Sequence, residues 1–262
     1  MEDHVRLLGV RGSVPVSGEA FARYGGATLC VLVQLAGRTV LLDAGTGLLR
    51  LPDDALTARE LPLLLSHAHI DHLLGLPLSA CVLRRDTPQL EVYAKGADEP
   101  VKRLMSPPLW PVGPASLPAP PCFRELPASL ALGPVRVTTM EGVHPGGVTL
   151  FRLEGGGKSV VYAADCALTD ELAPALTAFA RDCDLLLCDG QYSDEEWPAK
   201  SAFGHSRWTA AAALGRACGA KRVRIIHHDP ARTDEELDAA APALAALCPG
   251  CAFGHEGEVI AL

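Results

Sequence analysis

Ser66-His67-Ala68-His69-Ile70-Asp71-His72 carries four metal-binding side chains within six residues, flanked by the apolar runs Leu61–Leu65 and Leu73–Leu78. Burying such groups without a partner costs on the order of a few kcal/mol each. A divalent cation supplies the partner, because neutral imidazole and carboxylate are the usual ligands of zinc and its neighbours. His67 and His69 alternate at a strand end and can face one cavity. Asp71 and His72 lie one turn further on and can face a second ion. The plainer account, Asp71 as a helix cap, leaves the three imidazoles unexplained.

Three more residues share one pattern, an apolar strand followed by a ligand at its C-terminal end. They are His144 after Val143, Asp165 after Tyr162-Ala163-Ala164, and His227 after Val223-Arg224-Ile225-Ile226. With the first cluster they make seven ligands, enough to give two ions three protein ligands each around a shared carboxylate and a water. His228, next to His227, is the alternative ligand at the last position. Asp43, in Asp43-Ala44-Gly45-Thr46-Gly47, reads equally as a turn former or as a partner orienting a metal-bound His. Cys248-Pro249-Gly250-Cys251 is a lone pair of cysteines at CxxC spacing, a weak signal for structural zinc.

Positioning these residues needs strands. The spacing predicts strands at His4–Val10, Thr28–Leu35, Arg38–Asp43, Leu90–Tyr93, Pro134–Met140, Val148–Leu153, Ser159–Ala164, Asp184–Cys188, Arg222–Ile226 and Glu258–Leu262. Helices are predicted at Asp71–Val82, Asp170–Arg181, Ser206–Cys218 and Asp234–Leu247. Seven prolines within Ser106–Pro121 exclude a regular element there and suggest a surface loop, either packed on the body or bordering the site. Strand-rich first and βαβα later, the order argues a layered α/β fold. No break in composition marks a linker, so 1–262 reads as a single domain.

A hydrophobic content of 48% over 262 residues provides for a large core. The net charge of −8 has the wrong sign for a general nucleic-acid surface. The basic clusters Arg84-Arg85, Lys102-Arg103 and Lys221-Arg222 are short, as solvated edges of elements would be. No apolar run is long enough for a membrane span, and Met1-Glu2-Asp3-His4 lacks a signal peptide's basic start. Nine scattered cysteines fit reduced thiols, so the expected location is cytoplasmic.

His67-x-His69-x-Asp71-His72, then His144, Asp165 and His227, resembles the metallo-β-lactamase-fold hydrolases in order and approximate spacing over nearly the whole chain. The resemblance implies a four-layer αββα sandwich with two metal ions at the sheet edges. It assigns His67, His69 and His144 to one ion and Asp71, His72 and His227 to the other, with Asp165 bridging. Enzymes of the family that act on β-lactams lack the bridging carboxylate, and flavodiiron proteins place Glu where this chain has His69.

Two further stretches resemble the ribonuclease Z and phosphodiesterase branch. Leu185-Leu186-Leu187-Cys188-Asp189-Gly190-Gln191-Tyr192 is similar to a strand that there carries an acid, although Asp189 replaces a longer Glu. Gly204-His205-Ser206 is similar to its His-Ser-Thr segment. The resemblance gives Asp189 the task of orienting His205, and His205 that of protonating the leaving oxygen. Leu8-Gly9-Val10-Arg11-Gly12-Ser13-Val14-Pro15 resembles the branch's first Gly/Pro loop. The long basic arm with which transfer-RNA-processing members grip RNA has no counterpart here.

The expectation is therefore a phosphodiesterase with two divalent ions (zinc by default, manganese or iron also fitting) acting on a small or cyclic phosphodiester of the cyclic-nucleotide class. Water acidified between the ions is the nucleophile, and Asp71 helps to orient it. The alternatives are an ester, thioester or lactone hydrolase, a ribonuclease Z-like RNA endonuclease, and a non-catalytic ligand-binding sensor. A homodimer is common in this branch.

Overall fold

Two apolar runs separated by Ala36 and Gly37 fold back on each other, and both turn residues take positive φ (48° and 76°), as a two-residue hairpin turn requires. That hairpin lies within the first of two seven-stranded sheets in a computed structural model that describes residues 2–57, 59–96 and 98–262. The first sheet contains β1 (His4–Gly9), β2 (Cys30–Leu35), β3 (Arg38–Leu42), β4 (Glu60–Leu64), β5 (Gln89–Ala94) and β6 (Cys122–Glu125). The second contains β7 (Ser129–Leu132), β8 (Val135–Gly142), β9 (Val148–Gly155), β10 (Lys158–Ala163), β11 (Leu185–Asp189), β12 (Val223–Ile226) and β13 (Cys251–Phe253). The last strand, β14 (Val259–Ala261), returns to pair antiparallel with β1 at the edge of the first sheet.

The sheets bury their facing sides against each other through Val5, Leu7, Val31, Val33, Phe151, Leu153, Leu185 and Leu187, all fully buried. On its other side the first sheet is covered by Ala80–Leu83 and Asp98–Leu104, through Val82, Val101 and Met105. Ala173–Phe179, Trp208–Cys218 and Asp234–Leu247 cover the second. The result is the expected αββα sandwich. Strands buried on both sides read as the continuous apolar runs seen in the sequence.

Several elements differ from the sequence reading. Asp71–Val82 is not one helix: it is two short 3₁₀ turns, Ile70–His72 and Leu76–Leu78, followed by a single helical turn. Gly75 is the reason, since a Cβ there would stand 2.0 Å from the Gly45 carbonyl oxygen. The backbone must approach that loop closely, and Pro77 then prevents a regular ladder. Strands β6, β7 and β13 carried no clear signal because three or four residues at a sheet edge show little alternation. The 106–121 segment contains only a 3₁₀ turn at Pro114–Ser116 and packs on the first sheet's helical side through Trp110 and Leu117. It borders neither cavity at the His/Asp cluster.

Strands β3 and β4 run parallel, as do β10, β11 and β12. Their C-terminal ends all open on one edge of the sandwich, the position at which open α/β sheets bind ligands.

Candidate metal centre

Each strand delivers its polar residue as it ends. Asp43 follows β3, His67 lies just beyond β4, His144 just beyond β8, and Asp165 beyond β10; Asp189 is the last residue of β11, and His227 follows β12. Asp43, Asp165 and His227 have φ of 57°, 50° and 64°. Left-handed backbone is uncommon without glycine, although Asp and His tolerate it better than most residues. Such strain persists where the surroundings fix it, and it clusters at functional sites.

Four overlapping groups of ligand-type side chains converge among the described residues, two of them including His205 and the other two holding the seven residues between them. His67, His69 and His144 bring one ligand atom each to within 4.8 Å of one another, and so do Asp71, His72, Asp165 and His227. Asp165 faces both groups: its Oδ2 is 3.8 Å from His67 Nε2 and 3.9 Å from His144 Nε2, and also 3.1 Å from His227 Nε2, while its Oδ1 is 3.2 Å from His72 Nε2. Asp71 Oδ2 lies 3.4 Å from His72 Nε2 and 3.3 Å from His227 Nε2. His144 Nε2 and His69 Nδ1 are 3.1 Å apart. All seven residues singled out in the sequence are thus brought together at one edge of the sandwich.

The imidazoles are oriented from behind. His72 Nδ1 is 2.7 Å from Asp43 Oδ2, His144 Nδ1 is 2.9 Å from the Gly204 carbonyl, and His227 Nδ1 is 3.1 Å from Gln191 Oε1. The Ser66 hydroxyl donates to Asp43 at 2.8 Å, so it can accept from His67 Nδ1 at 3.0 Å. Acceptors on the Nδ1 side place the proton there and leave the Nε2 lone pairs aimed at one another and at two carboxylates. His67 Nε2, His72 Nε2 and Asp165 Oδ1 are buried with no hydrogen-bond partner among the described residues. Buried acceptors facing acceptors require positive charge between them. The donor set therefore fits divalent cations of the zinc, manganese and iron type.

The titration behaviour shows the same demand. Burial alone would lower His227 and His72, but the facing Asp165 carboxylate overrides it. His227 is pushed up to about 10, and His72 well above its ordinary value. Asp165 is held far below the carboxylate range, the opposing cost of burial being outweighed by His227 and His72. His67, by contrast, is driven down to about 2 by burial and by neighbouring imidazoles.

His205 and Asp189 form a second unit beside the first. His205 Nδ1 is 2.7 Å from Asp189 Oδ2, and its ring stacks on His227 with centroids 4.7 Å apart. Ser13, His69, Ile70, Asp71, Asp165, His205 and His227 line one open cavity of about 290 Å³. A second cavity of about 260 Å³ runs behind His67 and Ala68, with Lys95, Glu141 and Thr149 in its wall. His228 turns away from the cluster, its Nε2 donating to the Gly254 carbonyl at 2.8 Å while its ring packs on Tyr24 and Phe253. Cys248 and Cys251 are both buried in the second sheet's outer core and belong to no metal-type group among the described residues.

Sequence reasoning missed three supports. Gln191 links His227 to Ser13. Gly12 lies flat against His227, where a Cβ would come within 2.4 Å of the ring. The buried Arg11 guanidinium donates to the Asp229 and Arg232 carbonyls at 3.0 and 2.8 Å, fixing the loop after His228. Only the glycine could have been suspected, from its place in the first Gly/Pro loop.

Residues 38–228 match the family described as the β-lactamase superfamily domain. A ribonuclease Z of Bradyrhizobium sp. (strain ORS 278) is 27% identical over 265 residues, covering 79% of this chain and 85% of that relative. Among solved structures, the metallo-β-lactamase fold protein YhfI from Bacillus subtilis superposes with a TM-score of 0.75 at 19% identity over 99% of each chain. A diphosphatase from the PhnP family superposes with a TM-score of 0.70 at 18% identity, over 99% of this chain and 98% of that one. The family match spans well over half of the sequence and the sandwich agrees with it: the chain belongs to the β-lactamase superfamily, as a metallo-β-lactamase-fold, metal-dependent hydrolase.

Proposed function

We propose that the protein is a phosphodiesterase with two divalent cations, acting on a small or cyclic phosphodiester of the cyclic-nucleotide class. The observation that carries this reading is the Asp189–His205 pair, bonded at 2.7 Å, with His205 in the wall of the cavity that the His/Asp cluster lines and Asp189 buried behind it. Ester and lactone hydrolysis by the same centre has no need of such a pair. Cleaving a phosphodiester expels an alkoxide, which does need a proton donor.

His67, His69 and His144 would hold one cation, and Asp71, His72 and His227 the other, with Asp165 between them. The cations would supply a water of lowered pKa and neutralise charge that develops on the phosphoryl oxygens. Asp43, Ser66, Gly204 and Gln191 keep the imidazole Nε2 atoms forward. Asp189 Oδ1 accepts the backbone N–H groups of Gln191 and Ser206, both at 3.1 Å, which fixes the carboxylate that holds His205 Nδ1–H. His205 Nε2 then faces the cavity and passes its proton to the departing oxygen. Asp71, its Oδ2 held by the Ser13 N–H at 2.8 Å, would help to orient the attacking water.

A small substrate is supported by the uncharged 106–121 segment, which packs on the body instead of forming a basic arm. The ribonuclease Z likeness favours a second reading, an RNA endonuclease. The test is a turnover screen of metal-loaded protein on bis(p-nitrophenyl) phosphate, cyclic nucleotides, a short RNA with a 3′ trailer, a lactone and a thioester. Cleavage of cyclic or aryl phosphodiesters, lost in Asp165→Ala, is the expected result. RNA cleavage alone would transfer the assignment to the second reading, and turnover of the lactone or thioester alone would overturn both.

A further inference from the structure

Ser13 lies outside the seven clustered residues and the Asp189–His205 pair, yet it forms part of the same cavity wall as Asp71, Asp165, His205 and His227. Its backbone is held left-handed, with φ 60°, a conformation that a serine adopts at a cost unless its surroundings fix it. Two contacts do so. The Ser13 N–H donates to Asp71 Oδ2 at 2.8 Å, and Ser13 Oγ accepts from Gln191 Nε2 at 3.3 Å. Gln191 is itself fixed, because its Oε1 faces His227 Nδ1 at 3.1 Å and its N–H donates to Asp189 Oδ1 at 3.1 Å.

The direction of these bonds matters. Gln191 occupies a lone pair of Ser13 Oγ, so the hydroxyl proton remains to be given. Among the described residues no carbonyl or carboxylate takes it, and the side chain is exposed to the cavity. Apart from His205, the neighbouring polar side chains in this wall offer acceptors: the Asp71 and Asp165 carboxylates and the His69 and His227 imidazoles. A neutral O–H donor fixed in such a wall is an arrangement suited to an oxyanion, since it is oriented before the ligand arrives.

We infer that Ser13 is a substrate-binding residue whose hydroxyl donates to a non-bridging oxygen of the substrate's phosphoryl group. This rests on the phosphodiester reading. Its geometric basis is Ser13's place between Asp71 and Gln191, which ties the donor to two members of one ligand set, Asp71 directly and His227 through Gln191.

Ser13→Gly removes the hydroxyl, accepts the left-handed backbone without strain and keeps the N–H to Asp71. The experiment compares wild type, Ser13→Gly and Ser13→Asn, each metal-loaded, for metal content, calorimetric binding of inorganic phosphate, and hydrolysis of bis(p-nitrophenyl) phosphate. Asn tolerates the same backbone and restores an N–H donor. The expected result is unchanged metal content with phosphate affinity and kcat/KM about tenfold lower in Ser13→Gly, the loss typical of a hydrogen bond to a charged group. Partial recovery in Ser13→Asn supports the donor role. Unchanged affinity and kcat/KM in Ser13→Gly would overturn the inference while leaving the phosphodiester reading intact, and metal loss in Ser13→Gly would overturn it by making Ser13 a prop for Asp71. A wild type that neither binds phosphate nor cleaves the diester defeats the underlying reading, and the inference with it.

Discussion

His205 Nδ1 and Asp189 Oδ2 are 2.7 Å apart, although the two residues come from a loop and a strand sixteen positions apart in the chain. The Asp189 carboxylate is fixed by two backbone N–H groups, so the shorter acid reaches the imidazole without a strained geometry.

His205→Ala is expected to lower kcat for phosphodiester cleavage by about 10²–10⁴-fold, the usual contribution of a positioned general acid. Metal content, measured by mass spectrometry of the protein's metals, is expected to be unchanged. Metal loss in this variant would sink the proton-donor role. A substrate with a good leaving group, such as a p-nitrophenyl ester, should be affected less than an alkyl diester, because its departing oxygen needs less protonation.

Asp43 accepts from Ser66 N–H, the Ser66 hydroxyl, His72 Nδ1 and the Tyr162 hydroxyl at 2.7–2.8 Å, all in the buried interior. Asp43→Ala leaves these donors unpaired. The expected cost is about 3–5 kcal/mol, read from urea denaturation of the metal-free protein. A loss under about 1 kcal/mol would mean that water replaces the carboxylate and that the network is not rigid.

Gly12→Ala would place a methyl group about where the His227 ring lies, 2.4 Å from Cε1 and Nδ1. Displacing a fully packed ring costs roughly 1–3 kcal/mol. The variant is expected to bind fewer metal equivalents and to melt at a lower temperature. Full metal occupancy with unaltered melting would show that the first loop moves aside freely.

Acid stability has an identifiable contributor away from the centre. Burial pushes the Asp184 carboxyl up, but Lys221 Nζ and the Ser159 N–H, each at 2.8 Å, outweigh it and the net shift is downward. A carboxyl with a depressed folded pKa contributes its stability fully above the unfolded value of about 3.9 and loses it as pH falls through the folded value. Asp184→Asn is therefore expected to destabilise by about 1–2 kcal/mol at pH 7, Lys221 being largely exposed and screened. The gap from wild type should close below pH 4. A gap constant down to pH 3 would show that the effect is steric and not one of charge.

Much of the site was legible because ligands at the C-terminal ends of apolar strands repeat a pattern, and a pattern survives folding. The His/Asp run, His144, Asp165 and the His227-His228 pair could be singled out from type and position. What escaped were groups whose meaning is purely spatial. Gln191 is an ordinary polar residue until β11 and β12 bring it to His227, and Gly75 reads as a tolerable helix residue until Gly45 is placed against it. The choice of His227 over His228 follows from a left-handed bend at residue 227 that no periodicity announces. The short strands β6, β7 and β13 were invisible for a related reason: pairing with a neighbour, not their own composition, makes them strands.

The cluster is drawn from both sheets, with His67, His69, Asp71 and His72 on the first and His144, Asp165 and His227 on the second. Neither sheet alone presents more than a partial set of ligands. A cation held by both acts as a rivet, and by mass action its binding free energy adds to the docking of one sheet on the other rather than to either sheet's own ladder. Chelation is then expected to raise hydrogen exchange first along the loops beyond β4, β8, β10 and β12, with the strand interiors following only at global unfolding. The catalytic apparatus would double as the clasp of the fold.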